Sequence, residues 1–279
     1  MKRLIADSGA TKTSWALLQG SEVGHSFTTK GISPIFQSAG DIEAEIATNV
    51  GPLLNSEGVE EIYFYGSGCT PENTHILENA LRKSSNATPI IVVQSDLMAA
   101  VHSLCGNSPG VACILGTGSN SCHWDGTAIV EHVSPLGFIL GDEGSGAHLG
   151  KQLLSSALKN QLTKGIKEKL LQEYSLTEAD IIKRVYRQPY PSRFLASFSP
   201  FIKNNIGDES IMNIVSSSFD LFIRRNILQY DAAELPVSFV GSVAWHYSDI
   251  LEDVVKSHNL RMGKVLKSPI EGLIDYYKQ

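Results

Sequence analysis

Two short turns in this chain carry the residue types that grip phosphate. The first is Asp7-Ser8-Gly9-Ala10-Thr11-Lys12-Thr13 and the second is Gly116-Thr117-Gly118-Ser119-Asn120-Ser121. Each follows an apolar stretch, Leu4-Ile5-Ala6 in one case and Ala112-Cys113-Ile114-Leu115 in the other. Backbone N–H groups at tight turns form anion-binding concavities, and glycine lets that backbone approach closely. In the first turn Gly9 and Ala10 offer backbone, while Thr11, Lys12 and Thr13 offer donors. Asp7, at the end of a buried strand, can hold a magnesium ion through water, since magnesium keeps several waters in such sites. Aligned on Gly9 and Gly118, Trp15 falls on Trp124, so the segments read as copies of one hairpin. Two such turns set face to face would hold a polyphosphate from both sides.

Neither turn is a standard nucleotide loop. The first lacks the G-x-x-x-x-G-K-[ST] spacing and leads into a strand, not a helix. The second resembles G-x-G-x-x-G but lacks the last glycine and also leads into a strand. A second kind of chemistry is offered by carboxylates. Asp96 follows the apolar run Ile90-Ile91-Val92-Val93 and opens a helix, a position that suits a helix cap and equally a general base. Asp142 and Glu143 lie between Gly141 and Gly144, where they either cap the next helix or meet sugar hydroxyls or magnesium. Phe239-Val240-Gly241-Ser242 reads as strand, turn and helix, with a flat glycine platform suited to an adenine ring. The eight histidines show no H-E-x-x-H or H-x-E spacing and there is no G-x-S-x-G elbow, which argues against metalloprotease and serine-hydrolase chemistry. The four cysteines, Cys69, Cys105, Cys113 and Cys122, form no C-x-x-C pair and read as buried small hydrophobes.

The elements that must position these residues follow from periodicity. Strands are predicted over 2–8, 15–19 and 23–28, then a helix over 40–56 with Ile42, Ile46, Val50 and Leu53 or Leu54 at helical spacing. A strand over 61–65, a helix over 71–83, a buried strand over 89–94 and a short helix over 96–104 complete the first half. The pattern restarts with strands over 111–115, about 123–124 and 128–133, the last two joined at the hairpin signal Asp125-Gly126. The glycine-rich stretch 137–146 leads into a helical region over about 147–230. Within it Thr177-Glu178-Ala179-Asp180 resembles a capping box, and Ile211, Val215, Phe219 and Phe222 mark a buried face. A strand over 237–240, a helix over 244–257, a strand over 262–267 and an amphipathic helix over 269–278 close the chain. The turn-rich Gly106-Asn107-Ser108-Pro109-Gly110 divides it into domains of residues 1–106 and 107–279. A ligand is expected in the crevice between two such similar halves.

With 279 residues, 42% of them hydrophobic and 19% charged, the chain can fill two cores. Its net charge of −6 gives no support for nucleic-acid binding. No apolar run approaches the roughly 20 residues that span a bilayer, and Asp7 ends the first apolar run after three residues, so no signal peptide is expected. The expectation is a cytoplasmic protein.

These segments in this order resemble the actin/hexokinase/heat-shock ATPase superfamily. Within it the chain is similar to the N-acetylglucosamine kinase group, which shares a sequence family with activator ATPases of 2-hydroxyacyl-CoA dehydratases. The resemblance spans nearly the whole chain and rests on Asp7–Thr13, Ser95-Asp96, Leu115–Ser121, Gly137–Gly146 and Gly241-Ser242. It implies an α/β fold of two ribonuclease H-like, actin-like ATPase domains, with mixed sheets, flanking helices and a ligand crevice between them. It further implies ATP and magnesium as cofactors, and transfer of the γ-phosphoryl group to the 6-hydroxyl of an amino sugar, N-acetylglucosamine first, with glucosamine or N-acetylmuramic acid as alternatives. Asp96 matches the base, and Asp7 the residue near magnesium. Gly9, Thr11, Lys12, Thr13, Thr117, Gly118 and Ser119 match phosphate-loop positions, and Gly241 and Ser242 the nucleotide-binding turn. Ser33, Asp96, Gly137 and Asp142 match sugar-binding positions. Family members specific for N-acetylglucosamine often carry Asn in the segment of Gly31–Ile35 and Trp just before Gly137; Ile35 and Leu136 stand there. A dehydratase activator would need a cysteine-held cluster, for which Cys105 is the sole candidate. A sensor or polymer-forming relative would need a DNA-binding segment or filament insertion, and neither is evident. A homodimer is a fair expectation.

Overall fold

The computed structural model describes residues 1–9, 11–231 and 234–278, so Ala10 of the first turn lies outside the described residues. The chain forms two compact units, Met1–Asn107 with Ser268–Gln279, and Ser108–Lys267.

The first unit is built on β1 (Lys2–Ser8), β2 (Lys12–Gln19), β3 (Glu22–Lys30), β4 (Glu61–Gly66) and β5 (Ile90–Ser95), in the order β3-β2-β1-β4-β5. The β1–β2–β3 meander is antiparallel, while β4 and β5 run parallel to β1. Strand β1 is central, and Leu4, Ile5 and Ala6 are fully buried because helices cover both faces. Side chains alternate across a strand, so Leu4 and Ala6 share one core with Ile42 and Ile46 of α1 (Ala39–Asn49) and Leu77 and Leu81 of α3 (Thr74–Ser84). Ile5 points the other way, to Ala99 of α4 (Asp96–Leu104) and Leu273.

The helix expected over 40–56 is two helices, α1 and α2 (Gly51–Glu57), because Val50 ends the first and Pro52 supplies a first-turn residue for the second. Helix α3 starts at Thr74 rather than near Pro71. Strand β5 lies at the sheet edge, which leaves Ile90 62% exposed rather than buried as expected.

The second unit repeats this plan with β6 (Gly110–Leu115), β7 (Ser119–Trp124), β8 (Ile129–Glu131), β9 (Pro236–Val240) and β10 (Arg261–Leu266), in the order β8-β7-β6-β9-β10. Between β8 and β9 come α5 (Gly137–Leu140), α6 (Gly146–Leu158), α7 (Ile166–Glu173), α8 (Glu178–Arg187), α9 (Pro191–Ala196), α10 (Ser199–Asn204) and α11 (Glu209–Arg225). The expected face of α11 is buried, with Ile211, Val215, Phe219 and Phe222 at most 1% exposed. Thr177 and Asp180 form the full capping box of α8. The helix expected over 244–257 is two, α12 (Ser242–His246) and α13 (Ser248–Ser257).

Two further expectations are corrected. Trp15 and Trp124 are not equivalent: Trp15 pairs with Ala6 near the turn, whereas Trp124 is the last residue of β7 and pairs with Gly110. Turn length and glycine position both differ: Ser8 pairs with Thr13 across four residues of which Gly9 is the first, whereas Leu115 pairs with Ser119 across three of which Gly118 is the last. The closing helix α14 (Pro269–Tyr277), expected to complete the second half, belongs to the first unit. It packs along α4 so closely that a Cβ on Gly272 would stand 2.5 Å from the Ser103 carbonyl oxygen. Its apolar stripe is anchored by Leu273, which is fully buried.

Candidate active site

In the first unit the carboxyl ends of the parallel strands β1, β4 and β5 bring the two predicted acids to one edge of the sheet. The register aligns Ser8 with Gly66 and Gly66 with Ser95, so Asp7 and Asp96 flank the end of β4. Gly66 clears the ground between them, because a Cβ there would lie 2.9 Å from the Phe64 ring and 3.3 Å from the Ser8 Cβ. Ligands of α/β sheets gather outside such carboxyl ends.

Ser95, not Asp96, caps α4: its hydroxyl accepts the Met98 N–H at 3.3 Å. The Asp96 carboxylate, on the first turn, accepts the N–H groups of Leu97 and of its own residue. Burial pushes its carboxyl above the ordinary range, and the N–H groups of Leu97 and of Asp96 itself pull back. Burial likewise pushes Asp7 up to about 7, with the neighbouring Asp96 charge adding to the rise and the Ser268 hydroxyl and Lys12 opposing it. Ser268 donates to Asp7 Oδ2 at 3.4 Å. Two carboxyls raised by burial at one sheet edge, one of them raised further by the charge of the other, are a common mark of a functional site.

The first turn divides its predicted donors. Thr13 is fully buried; its hydroxyl lies 2.7 Å from the Ser8 hydroxyl and donates to the Lys30 carbonyl at 3.0 Å. Ser8 also donates to the Ile32 carbonyl at 2.8 Å and accepts the Ile32 N–H at 3.0 Å. This clasp fixes the turn to the segment after β3, at about 1 kcal/mol per bond. Thr11 and Lys12 are exposed, and the Gly9 N–H closes the turn onto the Lys12 carbonyl at 3.0 Å. Ser33 is buried, with its hydroxyl donating to the Ser67 carbonyl at 3.0 Å. Ile35 is 58% exposed and lies against Gly68, which adopts a positive φ of 82°.

In the second unit the turn 116–118 is closed by the Gly116 N–H on the Gly118 carbonyl at 3.0 Å. Helix α6 is docked on it by its first N–H groups: Gly146 donates to the Gly116 carbonyl at 2.8 Å and Ala147 to the Thr117 carbonyl at 3.0 Å. Thr117 is exposed, while Ser119 is buried at the head of β7. Gly241, with φ of 127°, turns tightly over the end of β6, where a Cβ would lie 3.2 Å from the Gly116 nitrogen. Ser242 opens α12 beside it and is exposed. The Gly116–Ser119 and Gly241–Ser242 turns, far apart in sequence, thus adjoin at the carboxyl ends of β6 and β9.

Asp142 is buried and left-handed, with φ of 54°. Its carboxylate lies over Gly118 and accepts the Ser119 N–H at 3.2 Å. Burial raises its carboxyl above the ordinary range, the Ser119 N–H lowers it and the Glu143 charge raises it again. The predicted acid therefore sits on the predicted phosphate turn of its own unit. Gly137, with φ of 72°, and Leu136 are exposed at the start of α5. Ser8, Gly66 and Ser268, all used by this geometry, are not singled out as site residues by the sequence. Ser8 adjoined a marked residue, but nothing local flags the others. Among the described residues no group of three or more His, Cys, Asp or Glu could hold a metal, and no helix is long and apolar enough to cross a membrane.

No family model matches the chain. A crystal structure of a presumptive N-acetylglucosamine kinase from Porphyromonas gingivalis is 47% identical, with 99% of this chain and 98% of that chain covered and a TM-score of 0.95. The chain belongs to this N-acetylglucosamine kinase-like family. It has the actin-like ATPase fold of sugar kinases, with two mixed five-stranded sheets and flanking helices. A presumptive N-acetylglucosamine kinase of Chromobacterium violaceum shares the fold at 16% identity, with a TM-score of 0.72 over 100% of this chain and 99% of that chain. So does a glucokinase of the ROK family from Streptomyces griseus, crystallised with glucose and AMPPNP, at 15% identity, with a TM-score of 0.56 over 99% and 98% of the two chains. A curated relative, an N-acetylmuramic acid/N-acetylglucosamine kinase of Clostridium acetobutylicum, is 24% identical over 208 residues, 70% of this chain and 67% of that protein.

Proposed function

We propose that this member of the family is an ATP-dependent kinase that phosphorylates the 6-hydroxyl of an amino sugar, N-acetylglucosamine first. The observation that carries the reading is the pairing of Asp7 and Asp96 at the carboxyl edge of β1, β4 and β5. Phosphoryl transfer needs one carboxylate to take the proton of an attacking hydroxyl and another to serve the cation that accompanies the phosphates. Asp96, lifted above the ordinary carboxylate range by burial, orients the sugar hydroxyl and accepts its proton as the phosphoryl group is transferred. Asp142 accepts hydrogen bonds from other hydroxyls of the ring, with Ser33 and Gly137 beside the sugar. The phosphates meet Gly9, Thr11 and Lys12 from one turn, held in shape by Thr13, and Thr117, Gly118 and Ser119 from the other. The adenosine rests on Gly241 and Ser242.

Asp7 fits a magnesium ion that keeps most of its waters. Its carboxylate has one long side-chain hydrogen bond, and burial, with the Asp96 charge beside it, pushes it up to about 7. Such an ion supplies charge neutralisation for the phosphoryl oxygens. Most of the rate comes from positioning.

A coupled ADP-release assay with ATP and magnesium, run against N-acetylglucosamine, glucosamine, N-acetylmuramic acid and neutral hexoses, tests the reading. ADP release that requires one amino sugar establishes it and names the acceptor. Sugar-independent release, or none with any sugar, removes it.

A further inference from the structure

Glu143 is 5% exposed, and a carboxylate so far from water needs a partner. It has one, the Arg225 guanidinium at 2.6 Å, which reaches in from the last residue of α11 while staying half-exposed itself. The turn that carries Glu143 is held in an unusual backbone. Asp142 and Gly144 have φ of 54° and 73°. The Asp142 N–H donates to the Pro135 carbonyl at 3.0 Å, and the Ser145 N–H donates to the Asp142 carbonyl at 3.1 Å. A non-glycine residue in the left-handed region persists only where its surroundings fix it. Helix α11 does so twice on one face. Phe222 packs under Gly144, where a Cβ would meet its own at 3.2 Å, and Arg225, one turn further on, holds Glu143.

We infer that Arg225 is a positioning residue for Asp142: by anchoring the buried Glu143 carboxylate it holds the Gly141–Gly144 turn in the one backbone conformation that places the Asp142 carboxylate over Gly118 and Ser119. This rests on the reading of Asp142 as the acid that meets the sugar. The effect of Arg225 falls on how well Asp142 is aimed, hence on acceptor binding rather than on nucleotide binding or proton transfer. Lys151, which donates to the Phe138 carbonyl at 2.9 Å, steadies the other end of the same loop.

The test compares wild type with Arg225→Met, Arg225→Lys, Glu143→Gln and the Arg225→Met/Glu143→Gln double variant. The measurements are KM for sugar, KM for ATP, kcat and the melting temperature. The expectation is a rise of about tenfold or more in sugar KM for Arg225→Met, on the order of what small misplacements of a binding group cost. ATP KM should hold within about twofold, Arg225→Lys should recover part of the loss, and the double variant should be no worse than the poorer single. Equal sugar KM in wild type and in Arg225→Met overturns the inference. So does a loss that Arg225→Lys leaves unmended while the melting temperature falls in step, which marks a stability role alone. If Arg225→Met fails to fold, Glu143→Gln, which keeps the side-chain shape, carries the same comparison. Absence of sugar-dependent activity in wild type refutes the kinase reading, an outcome distinct from an active wild type with an unaffected Arg225→Met.

Discussion

The two sheets have the same strand order and the same pairing senses, yet their first turns are organised in opposite ways. In the first unit the hydroxyls turn inward: Ser8 and Thr13 clasp each other and the backbone after β3, leaving Thr11 and Lys12 outside. In the second unit the turn is one residue shorter, its carbonyls are taken by the first N–H groups of α6, and its Ser119 N–H is taken by a carboxylate. A longer turn pins itself with its own side chains; a shorter one is pinned by elements that arrive from elsewhere in the chain. The same architecture thus yields one turn specified locally and another specified by tertiary contacts.

Substitutions can break or sharpen that contrast. The largest effect is expected at the acid edge of the first unit: Asp96→Asn should lower kcat by about 10²–10⁴-fold with little change in ATP KM, and steady-state rates decide it. Gly272→Leu should next cost about 3 kcal/mol by forcing α14 off the Ser103 backbone, measured by denaturant unfolding; an unchanged midpoint would mean the helix docks more loosely than described.

The two turn glycines come third. A Cβ on Gly118 would stand 3.2 Å from both Asp142 carboxylate oxygens, whereas the nearest atom to a Cβ on Gly9 is 3.8 Å away. Gly118→Ala should therefore raise sugar KM by roughly tenfold through the displaced Asp142, while Gly9→Ala, at an ordinary φ, should change stability by less than about 0.5 kcal/mol. Matching losses of sugar affinity in both variants would erase the distinction between the turns.

The smallest effect concerns pH. Asp7 binds its proton more tightly when folded, about 7 against an ordinary 3.8, so its contribution favours folding at low pH and is lost as pH rises through 7. Asp7→Asn should raise the melting temperature at pH 8 by about 3–5 °C and not at pH 4, and magnesium should raise that of wild type at pH 8. Scanning calorimetry at both pH values would show it, and equal shifts at the two would remove the burial argument.

Much of this was legible in the chain because periodicity and turn chemistry are local. Apolar runs mark β1, β4 and β6, and the glycine turns at Gly9, Gly118 and Gly241 fall where strands end, but β7 starts at Ser119, inside the stretch read as the second turn. What was hidden is what depends on distant partners. Counting residues from glycine to tryptophan suggests one frame for both hairpins, but Gly9 begins its turn while Gly118 ends a shorter one, so Trp15 and Trp124 part company. An amphipathic stripe such as that of Ile270, Leu273 and Ile274 says that a helix needs a core and not whose core it joins. Nothing near Glu143 announces Arg225, because the match is one of burial and charge across about half of the second unit.

The return of α14 to the first unit has a consequence for the order of assembly. Residues 1–107 leave the ribosome long before Ser268 and Leu273, which wait for all of Ser108–Lys267 to be synthesised. Until then one face of the first sheet, around Ile5, Leu18 and Tyr65, lacks its cover and Asp7 lacks its Ser268 neighbour. The nascent acid edge is thus finished only after the other unit has been translated, so a message broken late in its reading frame yields a chain with a complete second core and an incomplete first.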